Sequence, residues 1–242
     1  MSTTYAYSAE FLASLDRIIS NERLARYLTA TRGNTQAALR LYERNMNLSE
    51  ALFGYLHGLE VAVRNSIHVT LRAAFGTPTW FDYRGALPWS STGEHLLFTS
   101  PMQDMIAHAK ASAGAGAQPG KILAELMFGF WPNLLTGRYH ASLWVPCLHR
   151  AFPYANEPRR VIHLRLEQIR RLRNRIAHHE PVLTSANQVY TGFAANPFLS
   201  LPEIWRCVEW VSPDAALWLA AKTHYQEAVE LLLEVSRGGV TL

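Results

Sequence analysis

At 242 residues, 49% of them hydrophobic and 17% charged, the chain has enough length and apolar content for a substantial core, which excludes a disordered tail. The formal net charge is a modest +4, and the two cysteines, Cys147 and Cys207, stand far apart, which excludes a disulfide framework or a cysteine-built zinc site. Met1 to Leu15 carries Glu10 and no Lys or Arg, unlike a secretory signal, and no apolar run approaches a membrane span, so a soluble, cytoplasmic protein without membrane association is expected.

Hydrophobic spacing predicts an all-α fold, read as one domain over residues 1–242. Phe11, Leu12, Leu15, Ile18 and Ile19 recur at helical spacing until Arg32-Gly33-Asn34 breaks the pattern. A second helix is expected from Thr35 to about Asn45. A long third one opens at Ser49 and Glu50, carries Leu52, Tyr55, Leu56, Leu59, Val63, Ile67 and Leu71 on one side, and ends at Gly76. Residues 77 to 91 read as an aromatic loop. Ser100 and Pro101 open a helix that fades into Ala-Gly at 113 to 116.

Lys121 to Phe130 predicts a compact apolar helix halted near Trp131-Pro132, and His140 to Phe152 a helix kinked or interrupted by Pro146. Glu157-Pro158 starts an arginine-rich helix with Val161, Leu164, Ile169, Leu172 and Ile176 facing inward, ending at Glu180-Pro181. Residues 184 to 199 read as a polar loop. Ser200-Leu-Pro-Glu203 has the capping-box pattern, and Ser212-Pro-Asp214 opens a final helix to about Val235.

Charge is concentrated in one place. Between Arg159 and Arg175 seven arginines face the single acid Glu167, a local charge of +6 in a chain of +4. Such a stripe suggests a polyanionic partner, with a solvated helix face as the plain alternative. At its end lie Arg173, Asn174 and His178. A guanidinium clamps a phosphate through paired hydrogen bonds, and an imidazole moves a proton near neutral pH. Together they suit metal-free RNA cleavage: His178 handles the proton, Arg173 stabilises the phosphate charge, Asn174 orients them.

Asn174 and His178 share a helix face, whereas Arg173 stands about 140° round from His178. The pair therefore converges only where the helix frays or the arginine reaches across. A histidine that merely interacts with the helix dipole is the ordinary alternative. His178-His179-Glu180 lacks the spacing of zinc enzymes, and no phosphate loop or dinucleotide fingerprint occurs, so neither metal nor cofactor is expected.

Glu60, Arg64 and His68 lie along one ridge of the long helix, with Asn65 beside them. They form a surface salt bridge, or they face the arginine helix and hold its catalytic residues. Trp131, Tyr139 and Trp144 pack in the core or stack unpaired bases.

Leu59-Glu-Val-Ala-Val-Arg-Asn65, Glu125-Leu-Met-Phe-Gly-Phe-Trp131 and Arg171-Leu-Arg-Asn-Arg-Ile-Ala-His-His-Glu-Pro181 resemble, in order, the three signature blocks of the Abi-like abortive-infection proteins of the HEPN superfamily. Together they span over half of the chain. The second block carries Met127 where serine is more usual. Arg173, Asn174 and His178 match the superfamily motif with four residues intervening, and His179 would match it with five. The resemblance implies an HEPN-like helical bundle with additional N- and C-terminal helices. It also implies a metal-independent endoribonuclease acting as a toxin or in phage defence, although inactive, purely binding members exist. On this reading Arg173, Asn174 and His178 are catalytic, and Glu60, Arg64, Asn65 and His179 position them. Arg165, Arg170, Arg171 and Arg175 bind RNA. The implied partners are RNA, a second copy of the chain in a homodimer, and an antitoxin or phage-derived trigger.

Overall fold

A computed structural model of the protein describes residues 7–90, 98–184, 188–194 and 196–238. Residue 91 of the expected aromatic loop, residues 185–187 and 195 of the polar loop, and residues 1–6 of the amino-terminal segment lie outside them. The described residues are mostly helical. In order they form α1 (Ala9–Ile18), α2 (Asn21–Ala30), α3 (Thr35–Phe75), α4 (Ser100–Ala113), α5 (Pro119–Glu125), α6 (Phe130–Asn133), α7 (Arg159–Ala177), α8 (Leu201–Glu209), α9 (Pro213–Lys222) and α10 (Tyr225–Gly238). Strands β1 (Gln188–Tyr190) and β2 (Phe198–Ser200) pair antiparallel, with Val189 opposite Leu199. No helix among the described residues is long and apolar enough to cross a membrane.

The fold departs from the predicted elements at six places. α1 and α2 are separate because Ser20 takes φ 69° and caps α2, its hydroxyl accepting the Arg23 N–H at 3.4 Å. α3 runs unbroken for 41 residues where two helices were expected. Asn45 does not end it, because its side chain is turned to a distant partner. The buried amide oxygen accepts N–H bonds from Val182 and Leu183 at 2.8 and 3.1 Å.

α5 stops at Glu125 because Leu126 is extended, and Trp131-Pro132 sit inside the short α6. Around Pro146 the chain makes only short turns: a 3-10 turn at Gly137–Tyr139, a wider π turn at His140–Trp144 and another 3-10 turn at Leu148–Ala151. The expected final helix is two, α9 and α10. The hairpin was missed because three-residue strands are too short to show alternation.

Contacts divide the chain into two compact units. The first comprises Met1–Tyr55, Leu172–Leu201 and Ala220–Leu242, the second Leu56–Arg171 and Pro202–Leu219. In the first, Leu15, Leu24 and Leu39 form a small core with Phe11, Leu12 and Tyr42, and the Tyr27 ring meets Tyr42 edge-on. Tyr55 and Tyr225 lie 4.6 Å apart, and the Tyr225 hydroxyl donates to the Leu201 carbonyl at 2.6 Å.

The second unit packs Leu59, Val63, Ile67 and Leu71 of α3 together with an aromatic cluster of Trp80, Phe98, Phe130 and Trp131. Trp131 and Tyr139 are buried core residues, and Trp144 lies tilted against Phe152. All seven tryptophans of the chain fall in this unit.

The buried stripe of α7 is Ile162, Leu166, Ile169, Leu172 and Ile176, not one that includes Val161, which is 37% exposed, or Leu164, which is half-buried. The spacing of four, three, three and four residues keeps that stripe on one side.

One hydrogen bond in the second unit makes stability depend on pH. The buried Trp80 Nε1–H donates to His68 Nδ1 at 3.1 Å, so that nitrogen must stay unprotonated. Burial, then Arg72, lowers the His68 pKa below 6.5. Burial also lowers that of His163, with Glu167 opposing and Arg159 assisting. Below pH 6.5 the unfolded chain therefore binds more protons than the folded one. The stability from these groups is complete above the unfolded pKa and is lost as pH falls through the folded value. The exposed His224, raised by its hydrogen bond to Glu227, acts in the opposite sense. The thermal midpoint is expected to fall between about pH 7.5 and about pH 5.5. His68→Gln, which keeps an acceptor without a titrating nitrogen, should flatten that dependence. An unchanged pH profile in the variant would remove His68 as its source.

Candidate functional site

The arginine helix ends in a fixed geometry. The Glu180 N–H bonds to the Arg175 carbonyl at 2.8 Å and the His179 N–H to the Ile176 carbonyl at 3.0 Å, the two bonds of a Schellman motif. His179 holds the left-handed position of that motif at φ 55°, where glycine normally sits. Arg175 clamps the turn. Its Nε and Nη2 donate to the Pro181 carbonyl at 3.2 and 2.9 Å, its Nη1 pairs with the Glu180 carboxylate at 2.7 Å, and its guanidinium lies 4.8 Å from the centre of the Tyr190 ring. Gly192 makes room for it, since a Cβ there would come within 3.2 Å of Nη1.

A side chain at φ 55° costs energy that glycine does not. His179→Gly is expected to stabilise the fold by roughly 0.5–1 kcal/mol, after the larger entropy loss of glycine. The midpoint in thermal denaturation should rise by about 1–4 °C. A lowered midpoint would mean that the imidazole makes contacts worth more than the strain.

This end of α7 lines an open cleft of about 420 Å³ within the first unit. His178, His179 and Glu180 form one side; Ser20, Arg23 and Arg26 of the α2 entry and first turns form the other. Arg23 Nη1 donates to the His179 carbonyl at 2.9 Å, which ties α2 to the helix end. His178 is exposed, and its N–H closes the last helical bond to Asn174. Arg173 and Asn174 are half-buried in the last turn of α7 and do not line the cleft.

The structure therefore brings His178 and His179 together with cations absent from the sequence-based set. Arg23 and Arg26 lie more than 150 residues from His178 along the chain. The only signal for them was local: two arginines at i, i+3 after a serine cap.

The remaining candidates lie in the second unit. Arg165 Nη1 donates to Gln168 at 2.8 Å, and its Nη2 pairs with Glu203. Arg170 grips both oxygens of Glu167, and its stem packs on Gly129, where a Cβ would approach Cδ to 3.2 Å. Arg171 is exposed. Arg159 donates to the Leu135 carbonyl. Much of the +6 stripe is thus engaged by the chain itself. On α3 Glu60 and Arg64 are half-buried, and Arg64 Nε donates to the exposed Asn65 at 3.3 Å.

Among the described residues no three His, Cys, Asp or Glu side chains are grouped as a metal site requires. No protein-family model matches the sequence, and neither a curated protein nor a solved structure matches the chain.

Proposed function

We propose that the protein is a metal-independent endoribonuclease of the HEPN type, acting in phage defence or as a toxin. The supporting observation is the exposed His178 at the end of an arginine-rich helix, opening into a cleft that also carries Arg23 and Arg26. RNA supplies its own nucleophile. The 2′-oxygen attacks the adjacent phosphorus, the 2′-hydroxyl proton passes to the His178 imidazole, and the P–O5′ bond breaks as the 5′-oxygen takes up a proton. The products are a 2′,3′-cyclic phosphate and a 5′-hydroxyl end. Arg173 stabilises the charge building on the phosphate, Asn174 orients the pair, and His179 is a positioning residue. RNA, a second copy of the chain, and an antitoxin or phage-derived trigger are the proposed partners, in the cytoplasm.

A second reading follows from Arg173 lying outside the cleft lining. On it the chain is a non-catalytic module that binds RNA, a nucleotide or a protein through the same basic surface. Incubating purified protein with total cellular RNA in EDTA, beside Arg173→Ala and His178→Ala, separates the two. Discrete fragments ending in cyclic phosphate from the wild type alone support the nuclease. Intact RNA in all three, with RNA retained by the protein, supports the binding module.

A further inference from the structure

We infer that Arg23 and Arg26 of α2 form a phosphate seat beside His178, holding the RNA backbone next to the bond to be cut. The inference rests on the nuclease reading for the role of His178 but not for the seat itself. The two arginines are one turn apart on one face of α2, and both line the cleft that His178 lines. Arg23 is anchored by its bond to the His179 carbonyl, so its guanidinium is held at the cleft wall. Two acids, Glu22 and Glu180, share the lining. Glu180 is paired with Arg175 at 2.7 Å. Glu22, held below the usual carboxylate range by its own backbone N–H and by the Ser20 hydroxyl, stays ionised and offsets one of the two arginine charges, so the lining keeps a net positive charge.

The neighbouring arginines of α7 differ in kind. Arg165, Arg170 and Arg175 give their guanidinia to Glu203, Glu167 and Glu180. α2 therefore presents cations where the imidazole is, and a phosphodiester is the ligand that two guanidinia and an adjacent imidazole suit. The open shape of the cleft suits an unpaired strand, whose splayed backbone reaches side chains that a duplex groove would not.

The test uses full-length protein carrying His178→Ala, so that cleavage does not blur binding, and a single-stranded RNA oligonucleotide in filter binding at several salt concentrations. Arg26→Glu should weaken binding by roughly tenfold and lower the salt slope by about 0.7, the value of one lost phosphate contact on a single strand. Arg26→Lys should restore most of both. If circular dichroism shows that Arg26→Glu is unfolded, Arg26→Gln replaces it with the same expected loss of slope. Binding unchanged in a folded variant, or no RNA binding by the parent, overturns the seat.

Cleavage in the His178 background of the wild type separates this outcome from failure of the nuclease reading. A protein that loses RNA with Arg26 changed but never cuts it keeps the seat and loses the nuclease. A protein that cuts RNA equally well with and without Arg26, and binds it equally well, keeps the nuclease and loses the seat.

Discussion

Replacing His178 by alanine is expected to lower RNA cleavage in EDTA by about 10²- to 10⁴-fold, the usual contribution of a positioned general acid or base. RNA affinity should change little, because the interaction removed is one made mainly in the transition state. The position favours a clean result. His178 is exposed, its backbone N–H rather than its ring completes the helix, and truncating an exposed side chain costs little stability. Single-turnover rates with a defined RNA strand measure the effect directly. His179→Ala is the necessary companion, since the neighbouring imidazole lines the same cleft. Loss of rate in that variant alone would move the proton transfer one residue along the chain. Equal rates in wild type and both variants would remove the histidines from the chemistry.

The largest expected effect on stability lies at Asn45. Its side-chain oxygen is the acceptor for two successive buried N–H groups, those of Val182 and Leu183. Asn45→Leu keeps roughly the same volume but leaves both donors without a partner. At about 1–3 kcal/mol for each unsatisfied buried group, the loss should be roughly 3 kcal/mol or more. That corresponds to a fall of about 6–12 °C in the thermal midpoint. Met46→Leu, one residue away at a position 53% exposed, should stay within about 0.5 kcal/mol of wild type. A midpoint for Asn45→Leu within a degree of that control would show that the segment after Pro181 re-pairs its backbone elsewhere.

The same asparagine shows where sequence reasoning reached its limit. Asn45-Met46-Asn47 reads as a helix stop because asparagine competes for nearby backbone, yet here its amide is claimed by residues 137 and 138 positions away. No local pattern carries that information. Ser20 is the reverse case: a residue inside a continuous helical periodicity turns the chain with a positive φ.

Punctuation by proline and glycine was legible. Pro101 lies in the first turn of α4, Gly114 caps its end, and Pro146 keeps its segment from forming one helix. The position of α7 was legible within a few residues, and His178 was singled out from it. Which arginines stand ready for a ligand was not, because composition counts charges without their partners. Glu167 and Glu180 are close in sequence, whereas Glu203 answers Arg165 from another helix. Arg23 and Arg26 reach the His178 cleft only through the fold.

The placement of all seven tryptophans in Leu56–Arg171 and Pro202–Leu219 decides what an optical experiment on this protein sees. Indole emission excited at the red edge, beyond tyrosine absorption, comes from one unit alone. The other unit, which holds Asn45, the cleft and both of its histidines, is dark at that wavelength. A melting curve recorded by emission is therefore silent on Asn45→Leu and His179→Gly unless the two units unfold together. Far-ultraviolet ellipticity, which counts helix in both, is the signal to set beside it. Coincident curves would mark one cooperative transition, and separated curves two.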